Sequence, residues 1–124
     1  MKFYASSEHD NWETPKYIKI HYAKHYDPCP LFSTTDGLIG NWGKKAFVNP
    51  PFSELKKWAE KAIEQSKKGC EVTLLVPLRP STKWYQALID AGGKVAFFRK
   101  RLRYNNADNA PFESCLIKLK GEKQ

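Results

Sequence analysis

Runs of apolar residues bounded by turn residues predict the strands of this protein. Residues 45–48 and 70–78 form two such runs, and the second is β-branched and nearly all apolar, as is typical of a strand buried on both faces. Residues 94–98 form a third, shorter run. Residues 101–105 and 114–120 alternate, or nearly alternate, between apolar and polar side chains. These patterns predict five strands from residue 45 onward.

Apolar residues at helical spacing predict the segments between these strands. After the first strand, one helix face is formed by Leu55, Trp58, Ala59, Ala62 and Ile63. We expect Ser53 to cap this helix and Gly69 to follow its last turn. A second helix is predicted over residues 82–91, with Ser81 as its cap and two glycines after its end.

A short helix and a short strand are predicted ahead of these elements. Thr14 and Pro15 have the residue types of a cap and a first helical position, and the helix would run toward a strand that ends at Asp27. Alternation of strands and helices predicts a parallel sheet, and the short links among the last strands predict antiparallel pairing at one edge. We therefore expect one domain over residues 1–124, an α/β fold with a trimmed Rossmann-like mixed sheet, helices on its faces and an antiparallel C-terminal edge.

Composition excludes several classes of protein. Hydrophobic residues make up 41% of the 124 residues, which is typical of a globular chain, and no apolar run approaches the length of a membrane span. The first residues lack the apolar segment of a signal peptide, so we expect a cytoplasmic protein with no membrane partner. Three widely spaced cysteines and a His21–His25 pair without a third ligand nearby predict no metal site.

The net charge of +8 favours a polyanionic partner such as a nucleic acid. The densest basic cluster lies at residues 99–103, where we predict phosphate contacts from Arg99, Lys100, Arg101 and Arg103. Arg79, which follows another strand, is assigned to the same role. The alternative is that the cluster protects an edge strand from aggregation.

Three polar, proline-bearing segments follow predicted strands, at residues 27–30, 49–52 and 77–80. Ligands bind beyond the carboxyl ends of parallel strands, so these segments predict one site. Prolines fix the backbone around Asn49, whose amide oxygen would form a pair of acceptors with the Pro50 carbonyl. Such a pair suits an exocyclic amino group, and Phe52 could stack on the flat ring that carries it. A base inside a duplex would have to be flipped out to reach this site.

The tetrapeptide "NPPF" matches the [DNS]-P-P-[YFW] motif of amino-group DNA methyltransferases. Further matching segments are "DNWETP" (10–15), "YDPCPL" (26–31), "DGL" (36–38), "AFVNPPFS" (46–53), "LLVPLRPSTKW" (74–84), "RLRY" (101–104) and "PFESCLI" (111–117). Across nearly its whole length, the chain resembles the small phage-type DNA N6-adenine methyltransferases of the Dam family. The resemblance implies methyl transfer from S-adenosylmethionine to adenine N6 in double-stranded DNA.

The resemblance also implies roles for individual residues. The catalytic motif would be Asn49, Pro50, Pro51 and Phe52. The cofactor would be bound by Trp12, Thr14, Pro15, Asp27, Pro28 and Cys29, with Asp36 as the acidic residue for the ribose. The glycine-rich F-x-G-x-G loop of larger methyltransferases is absent, and only residues 28–48 separate Asp27 from Asn49.

Four alternatives to this assignment remain. Asp27 could be a turn residue, and Trp12 could be a core aromatic. The domain could bind nucleic acid or cofactor without turnover, or it could methylate RNA or a glutamine side chain, which the same motif also serves. The small surface available for base recognition favours relaxed sequence specificity or a homodimer.

Overall fold

The computed structural model describes residues 12–30, 37–104 and 110–123. In chain order, the elements are α1 (Lys16–His21), β1 (Lys45–Val48), a 3₁₀ helix (Phe52–Glu54), α2 (Leu55–Lys67), β2 (Glu71–Pro77), α3 (Lys83–Asp90), β3 (Lys94–Phe97) and β4 (Ser114–Leu119). This alternation confirms the predicted α/β class. The helix α2 ends before Gly69, whose φ of 101° is the left-handed conformation that favours glycine after a helix.

The four strands form one mixed sheet in the order β1-β2-β4-β3. The strands β1 and β2 are parallel, and β4 is antiparallel to both β2 and β3. The predicted antiparallel pairing at one edge is confirmed by β3 and β4. The C-terminal strand β4 is not itself the edge, however, because it lies between β2 and β3 and the edge strand is β3. The burial of the two strands agrees with this order, because β4 is buried along most of its length whereas β3 is mostly exposed.

Two apolar clusters cover the two faces of the sheet. On one face, Val48, Leu74 and Ile117 pack against Trp58 of α2 and Leu88 of α3. On the other face, the central contacts are made by Ile18 of α1, Phe47, Leu75, Leu102 and Tyr104. Helices therefore lie on both faces of the sheet, as predicted.

Two predicted strands are wrong. The strand expected before Asp27 is reduced to one parallel bridge between Tyr26 and Ala46. Residues 101–104 do not form a strand, although Leu102 and Tyr104 are buried while Arg101 and Arg103 are exposed. This segment crosses the face of the sheet, and burial of every second side chain produces the same alternation that a paired strand would show.

The three predicted helix caps are each displaced by one residue. The cap positions are occupied by Pro15, Glu54 and Thr82 in place of Thr14, Ser53 and Ser81, and none of the three makes a side-chain capping bond. The proline-bearing turns before the helices explain the shift. After Pro51, for example, the chain first forms a 3₁₀ turn in which the Pro51 carbonyl accepts the Glu54 N–H at 3.1 Å.

Within the described residues, no helix is long and apolar enough to cross a membrane.

Candidate active site

The three predicted site segments meet at the carboxyl edge of the sheet, which is the side at which the parallel strands β1 and β2 end. Parallel pairing of β1 with β2 brings Asn49 and Leu78 to the same edge, and the parallel bridge at Tyr26 brings Asp27 beside them. Because β4 is antiparallel, its first residue pairs with Pro77 at this edge, and the residues just before β4 lie there too. The geometry expected from the strand ends is therefore present.

Asn49 has a fixed side-chain amide. Its Nδ2 donates to the carbonyl of Trp12 and, at 3.1 Å, to Oγ1 of Thr14. A backbone carbonyl only accepts, so the nitrogen must face Trp12 and the oxygen must point the other way. This oxygen, Oδ1, is buried and has no hydrogen-bond partner within the part of the chain that the structure describes. A buried acceptor without a donor lowers the stability of the fold, so Oδ1 is the atom of this site at which a ligand donor is most expected.

The prolines hold Asn49 at the end of its strand. Pro50 and Pro51 are both buried, and Pro51 adopts an extended backbone with φ −64° and ψ 138°. The turn leads directly into the 3₁₀ helix and then into α2, whose Leu55 and Trp58 are in the core. The turn is therefore anchored on both sides by packed elements, and Asn49 is displayed from a rigid support.

Phe52 belongs to a cluster of four aromatic rings. Its ring lies 5.0 Å from Phe112 in an edge-on arrangement and 6.3 Å from Trp12 in a nearly parallel one. Tyr104 contacts both Trp12 and Phe112, and its hydroxyl is 2.7 Å from that of Ser114. Burial raises the pKa of Tyr104, so this phenol stays neutral.

Arg79 lies over the ring of Phe52, with its guanidinium carbon 6.0 Å from the ring centroid. This is a cation–π distance for an exposed arginine. A flat ligand that stacked on this side of Phe52 would take the place of the guanidinium. Arg79 therefore lies at the aromatic ring and does not line the groove formed by the other predicted basic residues.

A pocket of about 40 Å³ opens beside Asn49. It is lined by Trp12, Glu13, Thr14, Lys19, Asp27, Cys29, Pro30 and Asn49. The structure thus brings Trp12, Thr14, Asp27 and Cys29 together with the amide. Pro15 and Pro28 are buried in the two segments that form the pocket walls. Asp36 lies outside the described residues.

Asp27 is held in a short turn by its own side chain, because the Cys29 N–H donates to Oδ1 at 2.9 Å. The carboxylate reaches solvent, yet the protein atoms around it raise its pKa. The Cys29 hydrogen bond and the charge of Lys19 oppose this shift without cancelling it. Lys19 is also paired with Glu13 at 3.3 Å. The predicted turn role and a ligand-binding role are therefore compatible, since the turn aims the carboxylate at the pocket.

Gly37 packs directly on the Asp27 turn. A Cβ at this position would lie 1.8 Å from the Pro28 carbonyl oxygen and 2.9 Å from the Trp58 ring. The Gly37 carbonyl accepts the indole N–H of Trp42 at 2.8 Å, and Trp42 is itself buried. A side chain cannot be added at Gly37 without moving the turn that carries Asp27.

The basic residues at 99–103 form an open groove beside the aromatic cluster. The groove has a volume of about 550 Å³ and is lined by residues 98–103 and Tyr17. Arg101 forms a 2.8 Å ion pair with Glu113, which follows Phe112 of the aromatic cluster. Residues 101–104 are not an edge strand, but the edge strand β3 ends at Phe97, just before this cluster. Phosphate contact and protection of an edge strand therefore both stay predictions for these charges.

Several residues of the site were assigned another role, or none, from sequence. Thr14 is predicted both to cap a helix and to bind the cofactor. The cap position is occupied by Pro15, whereas the Thr14 hydroxyl accepts a bond from Asn49 and the residue lines the pocket. Tyr104 and Phe112 lie in segments that match the family, but no role was predicted for either residue, and Tyr17 carried no functional signal. The signal that could have found Phe112 was its position just before β4. Because β4 is antiparallel to β2, the start of β4 lies at the edge where the site is. No group of three potential metal ligands occurs within residues 12–30, 37–104 and 110–123.

Comparison with known proteins identifies the family of this chain. The family model for DNA N-6-adenine-methyltransferase (Dam) matches residues 4–115. A DNA N-6-adenine-methyltransferase of Escherichia phage T1 is 33% identical, in an alignment that covers 61% of this chain and 39% of that protein. The chain thus spans about two fifths of the length of this relative. No solved structure matches this chain. On the family match, which covers most of its residues, the chain belongs to the DNA N-6-adenine-methyltransferase (Dam) family.

Proposed function

We propose that this protein transfers the methyl group of S-adenosylmethionine to the N6 amino group of adenine in double-stranded DNA. The observation that carries the proposal is the buried Oδ1 of Asn49, which has no partner among the residues that the structure describes and is held in one orientation at the carboxyl edge of the sheet. The family membership and the name of the phage T1 relative support the same reaction.

Asn49 and Pro50 would act on the amino group by hydrogen bonding. An exocyclic amine has two N–H donors, and Oδ1 of Asn49 with the carbonyl of Pro50 would accept both. This holds the nitrogen lone pair away from the protein, toward the methyl donor, and supplies orientation instead of a covalent intermediate. The amino nitrogen would accept the methyl group that the bound cofactor supplies and would then lose a proton to solvent, while Asn49 and Pro50 keep it oriented.

Phe52 would hold the flipped-out adenine. Its ring is already supported by Trp12 and Phe112, so little ordering is required when a base stacks on it. The base would displace the guanidinium of Arg79, which would then be free to contact a phosphate. Before DNA binds, the charged guanidinium of Arg79 would thus cover the ring of Phe52, and the base would take its place.

The pocket residues suit one end of S-adenosylmethionine. This cofactor, when bound, supplies an electrophilic methyl group on a positively charged sulfur. The carboxylate of Asp27 would attract the positive charge of the cofactor. The pocket also adjoins Asn49, so the methyl group would lie next to the amino group that accepts it. The described pocket has room for only part of the molecule, so the remainder would extend into the open side of the site. We also propose that the sheet is a trimmed Rossmann-like one, which the helix-linked strands β1, β2 and β3 support.

The proposal is tested by incubating the protein with tritiated S-adenosylmethionine and, separately, unmethylated duplex DNA, RNA and a glutamine-bearing peptide. We expect label in the duplex only. Label in RNA or peptide alone would reject the DNA assignment. Cofactor binding without label in any substrate would indicate a binding module.

Binding of the cofactor should depend on pH through Asp27. The ionised carboxylate attracts the cation, so affinity should be full above the raised pKa and should fall as the pH drops through it, above the ordinary aspartate range. Calorimetry at a series of pH values measures this. Asp27→Asn should bind weakly at every pH. A wild-type fall that persists unchanged in Asp27→Asn would show that Asp27 is not the group responsible.

Loss of Arg99 and Lys100 should weaken DNA binding at all sequences alike. Both side chains are exposed in the groove, and each phosphate contact contributes about 0.9 to the slope of log affinity against log salt. The double alanine variant should therefore lower the slope by about 2. Lys120→Ala with Lys123→Ala removes the same charge near the opposite edge and should leave the slope unchanged. Equal effects in the two variants would mean that only net charge matters.

A further inference from the structure

We propose that Thr14 is a positioning residue for Asn49, whose amide it holds with the oxygen aimed at the incoming amino group. The proposal rests on the proposed function and assigns Thr14 a role other than contact with the cofactor. It is carried by one set of contacts, namely the two bonds at Asn49 Nδ2 and the bare Oδ1 on the other side of the same amide.

The amide needs two anchors to stay in place. The terminal torsion of an asparagine side chain is broad, and a single bond from Nδ2 to the Trp12 carbonyl would let the plane rock about that bond. The hydroxyl of Thr14, 3.1 Å from the same nitrogen, gives the second anchor. With both contacts made, the direction of Oδ1 is fixed before any substrate arrives.

The same two bonds should make Oδ1 a better acceptor. Donation by both N–H groups polarises the amide and increases the negative charge on its oxygen, and this effect is strongest where water is excluded. Trp12 cannot be tested by substitution because its contribution is a backbone carbonyl. Thr14 is therefore the residue through which the arrangement can be changed.

The local backbone explains why this hydroxyl is available. Pro15, not Thr14, occupies the cap position of α1, and its backbone is extended, with φ −54° and ψ 142°, immediately before the helix begins. Pro15 is buried, and the next turn anchors Ile18 in the core. Thr14 thus stands on a rigid support, and its side chain crosses to the end of β1, 35 residues away in sequence.

The test compares Thr14→Val, which keeps the shape and removes the hydroxyl, with Thr14→Ser, which keeps the hydroxyl. We expect Thr14→Val to lower kcat about tenfold while the Kd for S-adenosylmethionine stays within about twofold, because one hydrogen bond to the amide is lost. Thr14→Ser should recover most of kcat. Ser66→Ala serves as the control, since it removes a hydroxyl bonded to the Lys120 carbonyl near the opposite edge and should leave kcat unchanged.

A second readout keeps the test independent of turnover. The side-chain amide protons of Asn49, identified by their loss in Asn49→Ala, should exchange slowly with solvent in the wild type and in Thr14→Ser, and faster in Thr14→Val. Unchanged exchange in Thr14→Val would overturn the positioning role even if the wild type proved inactive. A Thr14→Val variant with normal kcat and weakened cofactor binding would overturn it too, by making Thr14 a cofactor contact.

Discussion

Replacing Asn49 by alanine is expected to reduce methyl transfer at least about 100-fold, the loss seen when a preorganised polar group at a reacting centre is removed. The reason is the buried Oδ1, which is the acceptor that would align the amino group. Single-turnover rates with saturating cofactor and DNA measure the effect without interference from product release.

The same change should leave the fold intact. It removes two bonds to Trp12 and Thr14, but it also removes an acceptor buried without a partner, and these contributions oppose each other. We expect the free energy of unfolding to change by less than about 1 kcal/mol. Asn41→Ala, at an exposed asparagine, is the matched control for activity. Wild-type rates in Asn49→Ala would remove Asn49 from the reaction.

Replacing Gly37 by alanine is expected to disrupt the Asp27 turn. The new Cβ would meet the Pro28 carbonyl at 1.8 Å, so the turn must move, and an overpacked site of this kind costs about 1–3 kcal/mol. A displacement near 1 Å at a reacting site lowers rates about 100-fold, so we expect kcat/KM to fall by about that factor. Denaturant unfolding and cofactor calorimetry separate loss of stability from loss of binding.

Gly121 provides the matched control for Gly37. A Cβ there would lie 2.3 Å from the Gly69 carbonyl, which is a comparable clash near the opposite edge of the sheet. Gly121→Ala should therefore reduce stability while leaving the cofactor Kd of the folded protein unchanged. If both variants weaken cofactor binding equally, the effect of Gly37→Ala comes from general destabilisation and not from the turn.

Local patterns predicted much of this fold because they are set by neighbouring residues. The apolar run of β2 and the stripe of α2 require burial in any arrangement, and both elements are present. The position of β4 could not be predicted, because insertion between β2 and β3 depends on which strand is more completely covered. The strand expected at residues 101–104 failed for a related reason. Alternating burial identifies a segment with one buried side, but it does not identify its partner.

The site was predictable where chemistry follows strand ends, and less so where it depends on contacts across the fold. Asn49, Phe52 and Asp27 were found because each follows a run that delivers it to one edge. The bond from Thr14 to Asn49 joins residues 35 positions apart, and the contact between Phe52 and Phe112 depends on the antiparallel direction of β4. Neither leaves a local pattern in the sequence.

The identity of the methylated nucleoside tests the central claim most directly. Unmethylated duplex DNA is incubated with the protein and S-adenosylmethionine, digested to nucleosides and resolved by chromatography with mass detection. We expect N6-methyladenine, with the signal lost in Asn49→Ala and kept in Asn41→Ala. Methylation at a ring carbon, or no methylated nucleoside from a folded protein that binds the cofactor, would contradict the central claim.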